Sequence, residues 1–114
     1  MGSDWPVTSP DPLWGNYTAC TQTAPPADSH ARNPGSREPM TPSERLSLES
    51  AVRAYTLGGA EIAGVADRRG RIAIGQDADL VLLSGPLSRP QDLPSLRVAR
   101  TIPGGTTVHR PSLS

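Results

Sequence analysis

The chain has 114 residues, enough for one modest domain, and its 11 acidic residues balance 11 basic ones, so it has no net field to draw nucleic acid or an anionic membrane. Gly and Pro supply 24 residues, about a fifth of the chain, between ordinary usage and the roughly 25–30% typical of low-complexity disorder. Much of the chain is therefore expected as turn and loop. Leu, Ile, Val and Phe together make 21 residues, an apolar complement that predicts a thin core better completed by a partner or by further chain. The single Cys20 excludes an internal disulfide and any CxxC site, which fits a cytoplasmic setting with a small, half-buried thiol. No run of about 18 apolar residues is present, and the first residues show no basic stretch leading into an apolar one. All 11 basic residues are Arg, seven of them after Gly58, scattered in a way that marks a compositional habit and no binding stripe.

In chain order, Asp11-Pro12 precedes Leu13, Trp14 and Tyr17 at helical spacing. Asp is a good N-cap and Pro suits the first helical position, where its missing N–H costs nothing, so a helix is predicted from Pro12 to about Thr21. Residues 23–40 hold Pro25, Pro26, Asp28, Asn33, Pro34, Gly35 and Pro39 with almost nothing apolar, which predicts a long exposed loop, a lid or a mobile segment. Thr41-Pro42-Ser43-Glu44 has the capping-box pattern, with Ser47 as a rival cap. Beyond it Leu48, Ala51, Val52 and Tyr55 recur at i, i+3, i+4 and i+7, with Glu49 and Arg53 four apart on the other side, the strongest helical signal in the chain. Gly58-Gly59 is expected to loosen or break that helix, with Ala60 to Ala63 resuming it before Gly64.

After Asp67 the pattern turns to β. Short strands are expected at Arg71–Ile74, at the continuous apolar run Leu80–Leu83, and within Leu96–Ile102, separated by turns at Gly75-Gln76-Asp77, Gly85-Pro86 and Gly104-Gly105. Gly104-Gly105 between Val98–Ile102 and Thr106–His109 is a hairpin signal, since Gly supplies the positive φ such turns need. Asp77 and Asp79 flank the turn before a strand expected to be buried, so their carboxylates are assigned to capping that turn. Trp5 and Trp14 are expected as packing anchors. His30 and His109 have no closely spaced ligand partner and read as surface histidines.

Taken together these segments resemble the C-terminal part of the amidohydrolase superfamily, most closely its amidohydrolase-3, YtcJ-like branch. Gly2-Ser3-Asp4-Trp5-Pro6-Val7 resembles the end of the eighth barrel strand, and Asp11-Pro12-Leu13 the start of the helix after it. The stretch from Arg45 to Thr56 is similar to a late helix of the family. Arg69-Gly70-Arg71-Ile72 and Gly75 to Leu83 resemble the return into a small β domain, and Val98 to Val108 its closing hairpin. The resemblance implies an α/β fragment: the last strand and helices of a (β/α)8 barrel in residues 1–66, with the flexible loop 23–40, and part of a composite β-sandwich in 67–114. It implies a metal-dependent hydrolase of non-peptide C–N bonds in a small amide-type substrate, with a divalent ion, zinc by family habit, and Asp4 as both metal ligand and catalytic proton carrier. A metal ion lowers the pKa of its bound water, and a neighbouring carboxylate moves the proton.

A barrel needs about 250 residues, and the His-x-His pair and later His ligands of the family have no counterpart here. The chain is accordingly expected to be a shortened gene product, the result of a misplaced start codon or one piece of a split gene, inactive alone, without tight metal binding, of marginal stability, and prone to aggregate through bare sheet edges. The alternative from a different class is a free-standing helix-plus-β module, Pro42 to Ser114, that binds a protein partner.

Overall fold

The computed structural model describes residues 1–2 and 4–109. The described residues form a small α/β arrangement of three α-helices, several 3-10 turns and two antiparallel strands. Contacts divide it into two units: residues 1–55 with 87–95, and residues 56–86 with the stretch from Leu96 onward.

In the first unit, α1 spans Pro12–Thr21, as the sequence predicts. The Asp11 carboxylate accepts the Leu13 N–H at 2.8 Å, satisfying one of the donors a helix start leaves unpaired, and Pro12 fills the first position. The helix stops at Gln22, whose left-handed backbone (φ 60°) turns its N–H back to the Thr18 carbonyl at 2.7 Å. Segment 23–40 is mostly exposed, as expected, but it carries local structure. Two 3-10 turns, Ser29–Arg32 and Pro34–Arg37, are capped by Asp28 and Asn33, whose side chains accept the N–H two residues on. Ala24 N–H donates to the Ser36 carbonyl, Arg37 Nε–H to that of Ala31, and Ala31 is buried. Asx turns replace the missing apolar anchors, since short polar side chains stand in for backbone partners.

Helix α2, Leu48–Tyr55, begins at the rival cap. Ser47 Oγ accepts the Ser50 N–H at 3.1 Å, whereas Thr41 makes no side-chain cap and introduces only the 3-10 turn Pro42–Glu44. Ala51, on the apolar face of α2, is fully buried, and α2 packs on α1. At this crossing a Cβ on Gly15 would collide with the Tyr55 hydroxyl. The 3-10 turn Pro90–Ser95 also lies on α1 and brings Leu93, the largest fully buried side chain.

In the second unit, α3 is Leu57–Ile62. The helical path breaks at Thr56 (φ −111°, ψ −92°), so Gly58 and Gly59 lie inside a helix and do not interrupt one. The backbone at Gly70 lies close to this helix: a Cβ there would sit 2.8 Å from both the Leu57 Cα and the Ala60 Cβ. The helix ends in a Schellman motif, with Val65 N–H donating to the Ala60 carbonyl, Gly64 N–H to that of Glu61, and Gly64 at φ 71°.

Strand β1, Leu80–Leu83, pairs antiparallel with β2, Val98–Ile102, placing Leu80 opposite Ile102 and Leu82 opposite Arg100, with a bulge between Leu82 and Leu83. The strand expected at Arg71–Ile74 does not form: those residues are exposed turn and coil, with Ile72 and Ile74 almost bare. The apolar run of β1 is not buried either, Val81 and Leu82 being more than half exposed, because among the described residues only β2 pairs with it. After β2 the chain turns through Gly104 and Gly105, both at positive φ, and returns for one bridge, Thr101 to His109.

Candidate functional site

Asp4, the metal ligand and proton carrier that the family resemblance implies, lies in an exposed turn at φ 53°, a left-handed conformation that Asp tolerates better than most residues. Its carbonyl accepts the Val7 N–H at 2.9 Å. Among the described residues no three His, Cys, Asp or Glu side chains gather to hold a metal ion. A stable transition-metal site needs three or four ligands, so these residues do not by themselves fit the divalent ion that the resemblance implies.

Two other polar constellations do form. Asp28 and His30 make a dyad in the 29–32 turn: Asp28 Oδ1 accepts the His30 backbone N–H at 2.8 Å and lies 2.7 Å from His30 Nδ1. The Asp28 side chain is only 11% exposed, against 57% for His30. The backbone N–H of His30, and then its imidazole, hold the Asp28 carboxyl below its usual range despite the opposing effect of burial. Beside this dyad opens a cavity of about 560 Å³, walled by Trp14, Thr18 and Ala19 of α1, Tyr55 of α2, and Met40 and Glu38 from the intervening segment. Burial raises the pKa of the Tyr55 phenol, with Asp11 adding to the shift. Trp14 thus borders a cavity, while Trp5, expected to anchor packing, is 67% exposed.

The second constellation corrects the assignment of Asp77 and Asp79 to local turn capping. Asp77 Oδ2 accepts from Arg68 and Arg69, each at 2.9 Å. These two guanidinium groups, Arg69 first, hold its carboxyl below the usual range. Asp79 reaches Arg69 with one oxygen (3.2 Å) and accepts the Gly104 N–H with the other at 2.8 Å, tying the start of β1 to the turn after β2. Long-range donors win because each carboxylate has two oxygens and arginine offers a planar fork. The network ties the start of β1 to Arg68, Arg69 and the turn after β2.

Elsewhere, Cys20 is buried and free, its pKa raised by desolvation. Asn16, only 5% exposed, donates through Nδ2 to the Pro12 carbonyl, but no described donor meets its Oδ1. His109 is exposed and takes part in the sheet through its backbone. The Asp28–His30 dyad was missed at sequence level. Its signal was the Asp-x-His spacing inside a Pro-rich stretch, two residues apart as an Asx turn allows. No described helix is long and apolar enough to cross a membrane.

The model of the family described as "Amidohydrolase family" matches residues 1–109. The chain is 36% identical over 113 residues to YtcJ of Bacillus subtilis (strain 168), which bears an amidohydrolase name, covering 97% of this chain and 20% of that protein. It is 37% identical over 84 residues to Protein LONG AFTER FAR-RED 3 of Arabidopsis thaliana, covering 74% of this chain and 13% of that one. No solved structure matches. The chain belongs to the amidohydrolase family, and it spans at most about a fifth of the length of these relatives.

Proposed function

We propose that this chain is the C-terminal portion of a metal-dependent hydrolase of non-peptide C–N bonds, and that it does not turn over substrate alone. The observation that carries the reading is the family match across residues 1–109, with 36% identity to YtcJ over 97% of the chain. Residues 1–66 then correspond to the last strand and helices of a (β/α)8 barrel, and 67–114 to part of a composite β-sandwich. The solvent-facing apolar strand β1 agrees with this, since its free edge and face suit pairing with strands from the rest of such a protein. In that setting Asp4 would supply one ligand to a divalent ion, zinc by family habit, and its carboxylate would carry a proton, while the remaining ligands and the substrate pocket would come from the rest of the barrel. The single cysteine suits a reducing compartment, and we place the parent enzyme in the cytoplasm on that ground.

The test is a chimera in which this chain replaces the matching fifth of YtcJ. The chimera should load metal and hydrolyse an amide-type substrate, while Asp4→Asn should lower both metal content and turnover with the fold unchanged by circular dichroism. A chimera whose metal content and turnover ignore Asp4→Asn would refute the role given to that residue.

The exposed apolar side chains Ile62, Ile72, Ile74 and Val81 favour the second reading, a non-catalytic module that presents an apolar face to a protein partner. Its proposed start at Pro42 meets an obstacle, because the turn carrying Leu93 packs on α1, which such a module lacks. A cooperative thermal transition of isolated 42–114 would support the module, and a gradual one would remove it.

A further inference from the structure

We propose that the cavity between α1, α2 and the 23–40 segment is a binding site for a small organic cation with an aromatic or alkyl body, a primary ammonium being the simplest case. At about 560 Å³ its volume falls within the range of roughly 300–1,000 Å³ usual for small-ligand sites. The charge inventory sets the class. Asp28 and Glu38 border the cavity, and among the described residues no Lys or Arg side chain does; Met1 also lines it, so two carboxylates stand against one terminal ammonium group. Asp28 is the stronger determinant, because its carboxylate is 11% exposed and stays ionised through its bonds to His30. An ionised carboxylate only accepts, so the proton between Asp28 and His30 sits on His30 Nδ1.

The site therefore offers acceptors in the dyad and the second carboxylate, and its ligand has to donate. Trp14, Tyr55 and Met40 supply the apolar wall. Indole and phenol faces attract cations, and a thioether packs well against rings. A carboxylate of the same size would meet like charge and find no cationic side chain to offset it. This inference is independent of Asp4 and of metal chemistry, and it holds for this chain whether or not the hydrolase reading survives.

The experiment uses the full 114-residue chain carrying Trp5→Tyr, so that Trp14 is the one indole and reports on the cavity wall by fluorescence. Two probes of similar size are titrated, 2-phenylethylammonium and 3-phenylpropionate. The cation should bind with a Kd about tenfold or more below that of the anion, a difference of one power of ten, and quench or shift Trp14 emission. Asp28→Asn keeps the turn, because Asn caps the same N–H, and should weaken the cation at least about fivefold, roughly 1 kcal/mol. Glu49→Gln, on the exposed side of α2, should leave binding unchanged. Equal affinity for the two probes, preference for the anion, insensitivity to Asp28→Asn, or no saturable change in Trp14 would each overturn the proposal. So would a wild-type chain without helical circular dichroism in the assay, since the cavity exists only in the folded unit.

Discussion

At the scale of single residues, the second unit leans on one carboxylate. Asp77 binds Arg68 and Arg69 at once, and both guanidinium groups favour its ionised form. Its folded pKa lies below the unfolded value of about 3.9, so the folded chain holds fewer protons than the unfolded one. The stabilisation is complete above about pH 4 and is lost as pH falls through the lowered folded value. Thermal melts should show Asp77→Asn with a lower midpoint than wild type at neutral pH, the two curves converging on acidification; a gap unchanged at acid pH would rule out the ion pairs as its source. Cys20 behaves in the opposite sense. Burial raises its pKa and withdraws the thiolate that reagents attack. A disulfide reagent at pH 7 should label Cys20 slowly in the native chain and rapidly in denaturant. Rapid native labelling would mean that the α1 face carrying Cys20 is open in solution.

At the scale of elements, the crossing of α1 and α2 is set by the absence of a side chain. Gly→Ala inside a helix ordinarily stabilises by about 0.5–1 kcal/mol, but a Cβ at Gly15 would strike the Tyr55 hydroxyl and lie 3.0 Å from its ring carbon. Gly15→Ala should therefore destabilise by about 1–3 kcal/mol, and adding Tyr55→Phe should recover part of the loss, read from urea midpoints. A fully stabilising Gly15→Ala would deny the contact. Elements with local causes were legible in the sequence: α1 from Asp11-Pro12, α2 from its apolar spacing, β1 and β2 from their apolar runs, the α3 stop from Gly64. The break fell at Thr56, whose backbone leaves the helical region, and not at Gly58-Gly59. Arg71–Ile74 remained coil because no described strand pairs with it. The family was legible from ordered segments, each weak alone. The dyad was not, because a two-residue spacing gains meaning only when the Asx turn around it closes.

At the scale of the molecule, the core is thin. Its buried apolar residues include three alanines, and Leu93 is the largest fully enclosed side chain. Leu93→Ala should cost about 2–5 kcal/mol, set against the roughly 5–15 kcal/mol that holds an ordinary domain together. Helical circular dichroism of this variant should be largely lost at 37 °C; a native-like melt would show that the 90–95 turn contributes little. The exposed strand β1 adds a second liability, a free edge with Val81 and Leu82 beside it. Light scattering of the isolated chain should therefore rise with concentration and fall when Val81 and Leu82 are replaced by Lys.

The Gly15–Tyr55 contact also constrains the route by which this sequence can drift. Alanine at position 15 is disfavoured while tyrosine occupies position 55, so lineages that carry the larger residue on α1 should have shortened or removed the phenol first. The order of two substitutions far apart in the chain is thus set by one missing methyl group.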